Sequence, residues 1–324
     1  MTATVLDVSD LQVTFSGGVK VLNGLSFSVR KGETVCLVGE SGCGKSVSAL
    51  SILRLLPPAA QITGGRVRLC GRDVLDLGEA ELRNLRGSQI SMIFQEPMNS
   101  LNPLRTIGFQ VAEVMMLHQK LSRDAALVRT AELLESVHLP DARRRLGDYP
   151  HQLSGGMRQR VVIAMAIACN PSVILADEPT TALDVTIQAQ ITQLLAEMQR
   201  RFGTAIVLIT HNMGLVAENA DRVVVMYAGR AVEEAPVEEF FRRPAHPYSR
   251  GLLESLPRLG SASSGGPRRL REIPGTVPAF EDLPPGCPFA TRCAQATDTC
   301  RQRRPEVESL GCDHRVACWH PQGV

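Results

Sequence analysis

The chain has no excess of either charge, no long apolar run and no closely spaced cysteine pair, and each absence removes a class of protein. Across 324 residues, 35 Lys and Arg stand against 33 Asp and Glu, a net charge of +2. The basic residues are scattered rather than blocked, which argues against bulk nucleic-acid binding. No apolar run reaches the roughly 18–20 residues that a membrane span needs. The opening Met1-Thr2-Ala3-Thr4-Val5-Leu6-Asp7 has neither a basic start nor a following apolar stretch. No export signal is expected, and the chain reads as cytoplasmic. Work at a membrane would then require docking on another subunit. No internal repeat is present. What remains is ordinary: 44% hydrophobic and 21% charged residues, enough apolar mass for one large domain or two.

Two glycine-rich turns stand out. Gly39-Glu40-Ser41-Gly42-Cys43-Gly44-Lys45-Ser46 fits G-x-x-x-x-G-K-[ST]. It follows the β-branched run Thr34-Val35-Cys36-Leu37-Val38 and precedes a helical pattern, the context this motif requires. Its backbone N–H groups would wrap phosphates, Lys45 would reach the β- and γ-phosphates, and the Ser46 hydroxyl would serve Mg²⁺. The second turn is Leu153-Ser154-Gly155-Gly156-Met157, which opens an apolar helix at residues 161–167. Exposed N–H groups and a helix N-terminus suit an anion there too. Alone, this would be a glycine turn before a core helix. Beside the first site, it suggests an enzyme that sandwiches a nucleotide between two copies of itself.

Polar residues at strand ends complete the pattern. Val173-Ile174-Leu175-Ala176 runs into Asp177-Glu178, which would place one carboxylate near Mg²⁺ and the other near an attacking water. His211 follows the apolar run 205–210, where it could hydrogen-bond a γ-phosphate. Gln95 follows the run 90–94, and its neutral amide could ligate Mg²⁺ or orient water. Strand-like runs at 8–15, 25–30, 66–70, 173–176, 205–210 and 222–226 surround helical spacing at about 105–170 and 186–201. Alternating strands and helices predict an α/β fold with a largely parallel sheet, interrupted by a helical insert.

These motifs together resemble the nucleotide-binding subunit of ATP-binding-cassette (ABC) transporters. The resemblance comprises a Walker A loop at 39–46, a Q-loop at Gln95, the LSGGM signature at 153–157 and a Walker B strand ending at Asp177-Glu178. The D-loop Thr181-Ala182-Leu183-Asp184 and the switch His211 complete it. The family implies a P-loop NTPase (RecA-like) cassette with an antiparallel β subdomain and a helical signature subdomain. It also implies a head-to-tail dimer in which the P-loop of one cassette and Ser154-Gly155-Gly156 of the other close on one ATP. Glu178 would be the general base and His211 the γ-phosphate sensor. Mg²⁺ would take Ser46, Gln95 and Asp177, and Asp184 would cross the dimer seam. Phe15 is the residue expected to stack on adenine, with a core strand position as the alternative. Asn212 stands where the family commonly has Asp after the switch His.

Further strings narrow the likeness. Phe94-Gln95-Glu96-Pro97-Met98-Asn99-Ser100-Leu101-Asn102-Pro103, Tyr149-Pro150-His151-Gln152-Leu153-Ser154 and His246-Pro247-Tyr248-Ser249 resemble the ATPases of the oligopeptide, dipeptide and nickel importer group. That implies a peripheral ATPase at the cytoplasmic face of the inner membrane. It would work with a second ATPase subunit, two permeases and an extracytoplasmic binding protein, and with no nucleic acid. A soluble, non-transport ABC ATPase and an importer of nickel or another non-peptide ligand are the alternatives. The expected domains are a cassette at 1–235 (helical subdomain about 100–165), a connecting helix and linker at 236–268, and a Cys-rich extension at 269–324.

Nine cysteines are unevenly placed, five of them in the tail. Cys287, Cys293, Cys300 and Cys318, at spacings x5, x6 and x17, resemble the extension in which some members of the group hold a [4Fe–4S] cluster. Four thiolates would staple a segment too poor in apolar residues to fold by burial alone. A zinc site or free thiols are the other readings, and the spacing lacks the C-x2-C pairs usual for zinc ribbons. Cys312 falls outside the pattern and is the replacement if one ligand is misassigned.

Overall fold

A computed structural model describes residues 3–95, 100–181, 183–256 and 272–322. The expectations that fall on residues 96–99, on Ala182 and on the Ser/Gly linker at 261–267 lie outside the described residues.

The described elements run β1 (Thr4–Phe15), β2 (Val19–Arg30), β3 (Thr34–Val38), α1 (Lys45–Ile52), β4 (Ala60–Leu69), β5 (Arg72–Asp73), α2 (Glu79–Leu85) and β6 (Ile90–Ile93). Then follow α3 (Ile107–Gln119), α4 (Arg123–Ser136), α5 (Gly155–Ile167), β7 (Val173–Asp177), α6 (Val185–Phe202), β8 (Ala205–Ile209) and α7 (Met213–Asn219). The chain ends with β9 (Arg222–Tyr227), β10 (Arg230–Pro236), α8 (Val237–Arg242), α9 (Pro247–Glu254), α10 (Asp298–Gln302), β11 (Glu308–Gly311) and β12 (His314–Val316). β1, β2, β4 and β5 make a four-stranded sheet in the order β2-β1-β4-β5, with β4 and β5 antiparallel. β2 is longer than the expected 25–30. Gly24 sits at φ 92° within the strand, where a Cβ would come 2.8 Å from Asp10 Oδ1.

Two compact units emerge. The first comprises residues 1–7, 28–34 and 67–209. Its strands β6, β7 and β8 are parallel, with Ile90 opposite Val173 and Val173 opposite Ala205. All five residues of β7 and of β8 are buried, as parallel strands covered on both faces require. Helices α3, α4 and α5 pack on one another, and α5 also packs on α6. Among the described residues, no named strand falls between 94 and 172. α6 has clear ends: Asp184 accepts the Ile187 N–H at 2.9 Å, and Gly203 stops the helix at φ 65°. That is ordinary N- and C-capping.

The second unit comprises residues 8–27, 35–66 and 210–324. β3 and β9 run parallel, with Val35 opposite Arg222 and Val38 opposite Val225. β10 returns antiparallel to β9, and the β11–β12 hairpin extends it through pairs such as Glu233–Val316. That hairpin lies in the tail and carries no strong strand signal. The tail buries few apolar side chains of its own: Phe289, Ala290, Cys287, Cys300 and Val316. It borrows a core instead. The Phe289 ring stands 5.2 Å from Tyr227 and 5.3 Å from Tyr248, and those two rings meet edge-on at 4.7 Å.

Among the described residues, no helix is long and apolar enough to cross a membrane.

Candidate functional site

The second unit carries the phosphate-loop half of the motif set. Gly39 to Gly44 join β3 to α1, and the backbone demands glycine at both ends. Gly39 adopts φ 153°, and a Cβ there would lie 2.3 Å from the Met226 carbonyl oxygen. Gly44 takes φ 103° at the N-cap of α1. The Lys45 ammonium is only 7% exposed. It donates to the carbonyls of Gly39 (2.8 Å) and Glu40 (3.0 Å), so the loop positions its own cation. Cys43 beside it is fully buried, and burial pushes its thiol pKa up; it is a packing residue in this loop. Ser41, Gly42 and Ser46 are exposed, leaving the Ser46 hydroxyl open to a ligand.

The remaining predicted residues of this unit are at element ends. Phe15 closes β1 and is half-buried. His211 is exposed just after β8. Asn212 caps α7, its side-chain oxygen accepting the Gly214 and Leu215 N–H groups at 2.9 and 3.3 Å. Asp and Asn cap equally well, which explains physically why Asn is tolerated at this position.

The first unit carries the other half. Ser154 is the N-cap of α5, with its hydroxyl accepting the Met157 N–H at 3.3 Å. Ser154 and Gly155 are exposed whereas Leu153 is buried, so the turn is anchored behind and open in front. Both glycines lie close to neighbours. A Cβ on Gly155 would come 3.5 Å from Leu183, and one on Gly156 would come 3.0 Å from Ile187. The signature turn thus rests on the segment that Asp184 starts. Asp184 is itself exposed and spends one carboxylate oxygen on its helix cap.

Asp177 is 4% exposed at the end of β7. Glu178, next along, holds a left-handed backbone at φ 45°, a conformation uncommon outside glycine and often found at functional sites. Its N–H donates to the Ile209 carbonyl at 2.9 Å. Its carboxylate accepts from Thr181 Oγ1 at 2.9 Å and from Gln95 Nε2 at 3.1 Å. Gln95 and Glu178, 83 residues apart in the chain, are therefore in direct contact, as neighbouring strand ends allow.

In the tail, Cys287, Cys293, Cys300 and Cys318 line one cavity with Phe289, Trp319 and His320. Burial first, then the neighbouring thiol groups, push Cys287 and Cys318 up to about 11. Cys312 is exposed and lines a different pocket beside Glu239 and Arg243. Among the described residues, no three His, Cys, Asp or Glu side chains converge where one metal ion would sit.

Sequence reasoning missed three side chains that the loop depends on. Tyr248 Oη accepts the Glu40 N–H at 2.8 Å, Arg292 forms an ion pair with Glu40, and Tyr227 lies under both. The only available signal was the His-Pro-Tyr string at 246–248, read as a subfamily mark and not as a contact.

Two segments of the chain match known families. Residues 22–181 match the ABC transporter family, and residues 232–300 match the oligopeptide/dipeptide transporter C-terminal region. The oligopeptide transport ATP-binding protein OppD of Salmonella typhimurium is 48% identical over 319 residues, covering 98% of this chain and 93% of the relative. The dipeptide transport ATP-binding protein DppD of Bacillus subtilis is 48% identical over 319 residues, covering 97% and 94%. Among solved structures, a dimeric ATP-binding cassette bound to ADP and Pi in a post-hydrolysis state is similar at TM-score 0.64 and 30% identity. It covers 72% of this chain and 98% of its own.

Proposed function

The chain belongs to the ABC transporter ATP-binding family, and from that premise we propose that it is the ATPase subunit of a di- or oligopeptide importer. Its reaction is hydrolysis of ATP to ADP and phosphate, coupled to transport. The observation that carries peptide as the cargo is where the likeness extends. The dimeric cassette covers 72% of the chain, whereas the peptide-transport relatives cover 97–98%, tail included. The oligopeptide/dipeptide region matches residues 232–300, which include the first part of the tail.

In this reading the 39–46 loop and Lys45 bind the phosphates, and Phe15 stacks on adenine. Ser154, Gly155 and Gly156 of one chain complete the nucleotide site of its partner through exposed N–H groups. Glu178 accepts a proton from water as that water attacks the γ-phosphorus. Gln95 and Thr181 hold its carboxylate for that step, and His211 hydrogen-bonds a γ-phosphate oxygen. Ser46, Gln95 and Asp177 offer the hard oxygen donors that Mg²⁺ prefers, and the ion supplies charge neutralisation between the β- and γ-phosphates. Asp184 approaches the seam from the helix it caps.

The same reading gives the four cavity-lining thiols a [4Fe–4S] cluster. The four thiols that line one cavity would hold it, and it would cross-link a tail with little core of its own. Cys312 lines another pocket. The subunit is placed at the cytoplasmic face of the inner membrane, with a second ATPase subunit, two permeases and an extracytoplasmic binding protein.

Affinity purification from membranes tests this reading. Recovery of two multi-span permeases, with ATP-dependent peptide uptake after reconstitution, is the expected result. Recovery with ribosomes or DNA and without permeases would overturn it.

A further inference from the structure

Glu40 is a carboxylate inside a loop whose purpose is to hold phosphates. Left unpaired, it would repel them. Its negative charge is instead met by Arg292, 252 residues away in the tail. The pair is bidentate: Nη1 donates to Oε2 at 2.6 Å and Nη2 to Oε1 at 3.0 Å. The Arg292 side chain is 4% exposed and that of Glu40 31%, so the guanidinium side of the contact is shielded from water. Forked arginine–carboxylate pairs of this kind are both strong and directional.

The guanidinium is fixed on its other side by the tail backbone. Nε donates to the Pro274 carbonyl at 2.9 Å and Nη2 to the Gly275 carbonyl at 3.2 Å, while Nη1 approaches Tyr227 Oη at 3.5 Å. Its donors are therefore committed, and it presents a rigid fork to the loop. Arg292 leaves the tail in the turn closed by its own N–H donating to the Phe289 carbonyl at 3.0 Å. Phe289 seats that turn on Tyr227 and Tyr248.

Glu40 is thus held at three points. Tyr248 Oη takes its N–H, the Lys45 ammonium takes its carbonyl, and Arg292 takes its carboxylate. A shift in the carboxylate would reach Lys45 through a single residue. We infer that Arg292 is a positioning residue of the nucleotide site: from the C-terminal extension it neutralises the Glu40 carboxylate of the phosphate loop. This rests on the ATPase reading above. It makes the tail part of the machinery that binds ATP, not an appendage to it.

A charge-removal experiment separates this from simple docking of the tail. ADP binding to the purified full chain, followed with a fluorescent ADP analogue, is the readout. Arg292→Ala is expected to raise Kd about tenfold, because a bare carboxylate then faces the phosphates. Adding Glu40→Gln to Arg292→Ala removes that carboxylate, and binding should return to within about threefold of the parent chain. In the ATPase assay the single variant should raise KM with little change in kcat. If Arg292→Ala does not fold, Arg292→Lys decides. It keeps a positive charge beside Glu40 while losing the fork, and binding should stay within about threefold of the parent chain, whereas a tenfold loss with the fold intact would overturn the charge argument. A double variant that binds no better than Arg292→Ala, with both melting together, would show that Arg292 only docks the tail. Failure of the parent chain to bind ADP would count against the ATPase reading itself.

Discussion

The Gln95 side-chain amide donates to the Glu178 carboxylate at 3.1 Å. The same carboxylate oxygen accepts from Thr181 at 2.9 Å, and Glu178 sits at φ 45°. A carboxylate held by two neutral donors on a strained backbone is suited to a fixed proton-transfer task, since neither donor neutralises it. Glu178→Gln should retain ATP binding and lower turnover by about a hundredfold or more, the usual scale for losing a general base. A phosphate-release assay at saturating ATP checks this, and undiminished hydrolysis would remove Glu178 from the role.

Ser154 and Gly155 are exposed while Lys45 is buried in its own loop. If the signature acts on the partner's nucleotide, two defects on different chains can be separated. A Lys45→Ala chain and a Ser154→Arg chain should each fail to dimerise with ATP, while their mixture regains one intact site. Size-exclusion chromatography with light scattering reads the outcome. A mixture that stays monomeric, with both chains folded, would refute the trans arrangement.

Glu233 of β10 is a buried hub. Its carboxylate accepts the Ala245 and His246 N–H groups at 2.8 Å each, and His314 Nε2 lies at 2.8 Å. Burial alone would raise its pKa, but these hydrogen bonds outweigh burial and hold it below the usual carboxylate range. A depressed carboxylate stabilises the fold at neutral pH, and that contribution is lost as pH falls through the carboxylate range. His246, pushed down to about 4 chiefly by burial, acts in the same direction. Its unfolded form gains a proton below about 6.5, before the folded form does. Resistance to urea should therefore fall from about pH 6.5 to about pH 4 through His246, and fall further below about 4.5 through Glu233. Glu233→Gln should cost about 2 kcal/mol at pH 7 through its charged hydrogen bonds and flatten the acid limb of the profile below about 4.5. An unchanged profile would contradict the assignment.

The tail thiols make a separate prediction. Protein purified without oxygen should be brown, with broad absorbance near ~400 nm and bound iron and sulfide, as thiolate-ligated clusters show. Serine at Cys287, Cys293, Cys300 or Cys318 should bleach it, whereas Cys312→Ser should stay coloured because that thiol lines another pocket. Colourless protein with one zinc would decide for the other metal.

Much of the cassette was legible because its chemistry is local. G-x-x-x-x-G-K-S must follow a strand and open a helix, and residues 34–52 do so. The buried strands 173–177 and 205–209 were readable as unbroken apolar runs, since parallel strands covered on both faces need no polar alternation. The beginning of β2 was not readable, because Gly24 within it, at φ 92°, gives no strand signal. The β11–β12 hairpin was hidden for another reason: its pairing partner, β10, lies some 80 residues earlier.

The sequence by itself determined the two glycine-rich turns, the paired carboxylates and the four-thiol spacing, because each is written in a few adjacent residues or a short interval. Only the tertiary structure decided that Glu178 meets Gln95, that Cys312 stands apart from the other tail thiols, and that Arg292 grips Glu40. Those contacts join residues 83 and 252 positions apart. No local propensity encodes such a distance; chain folding and the burial of Phe289 on Tyr227 and Tyr248 bring the ends together.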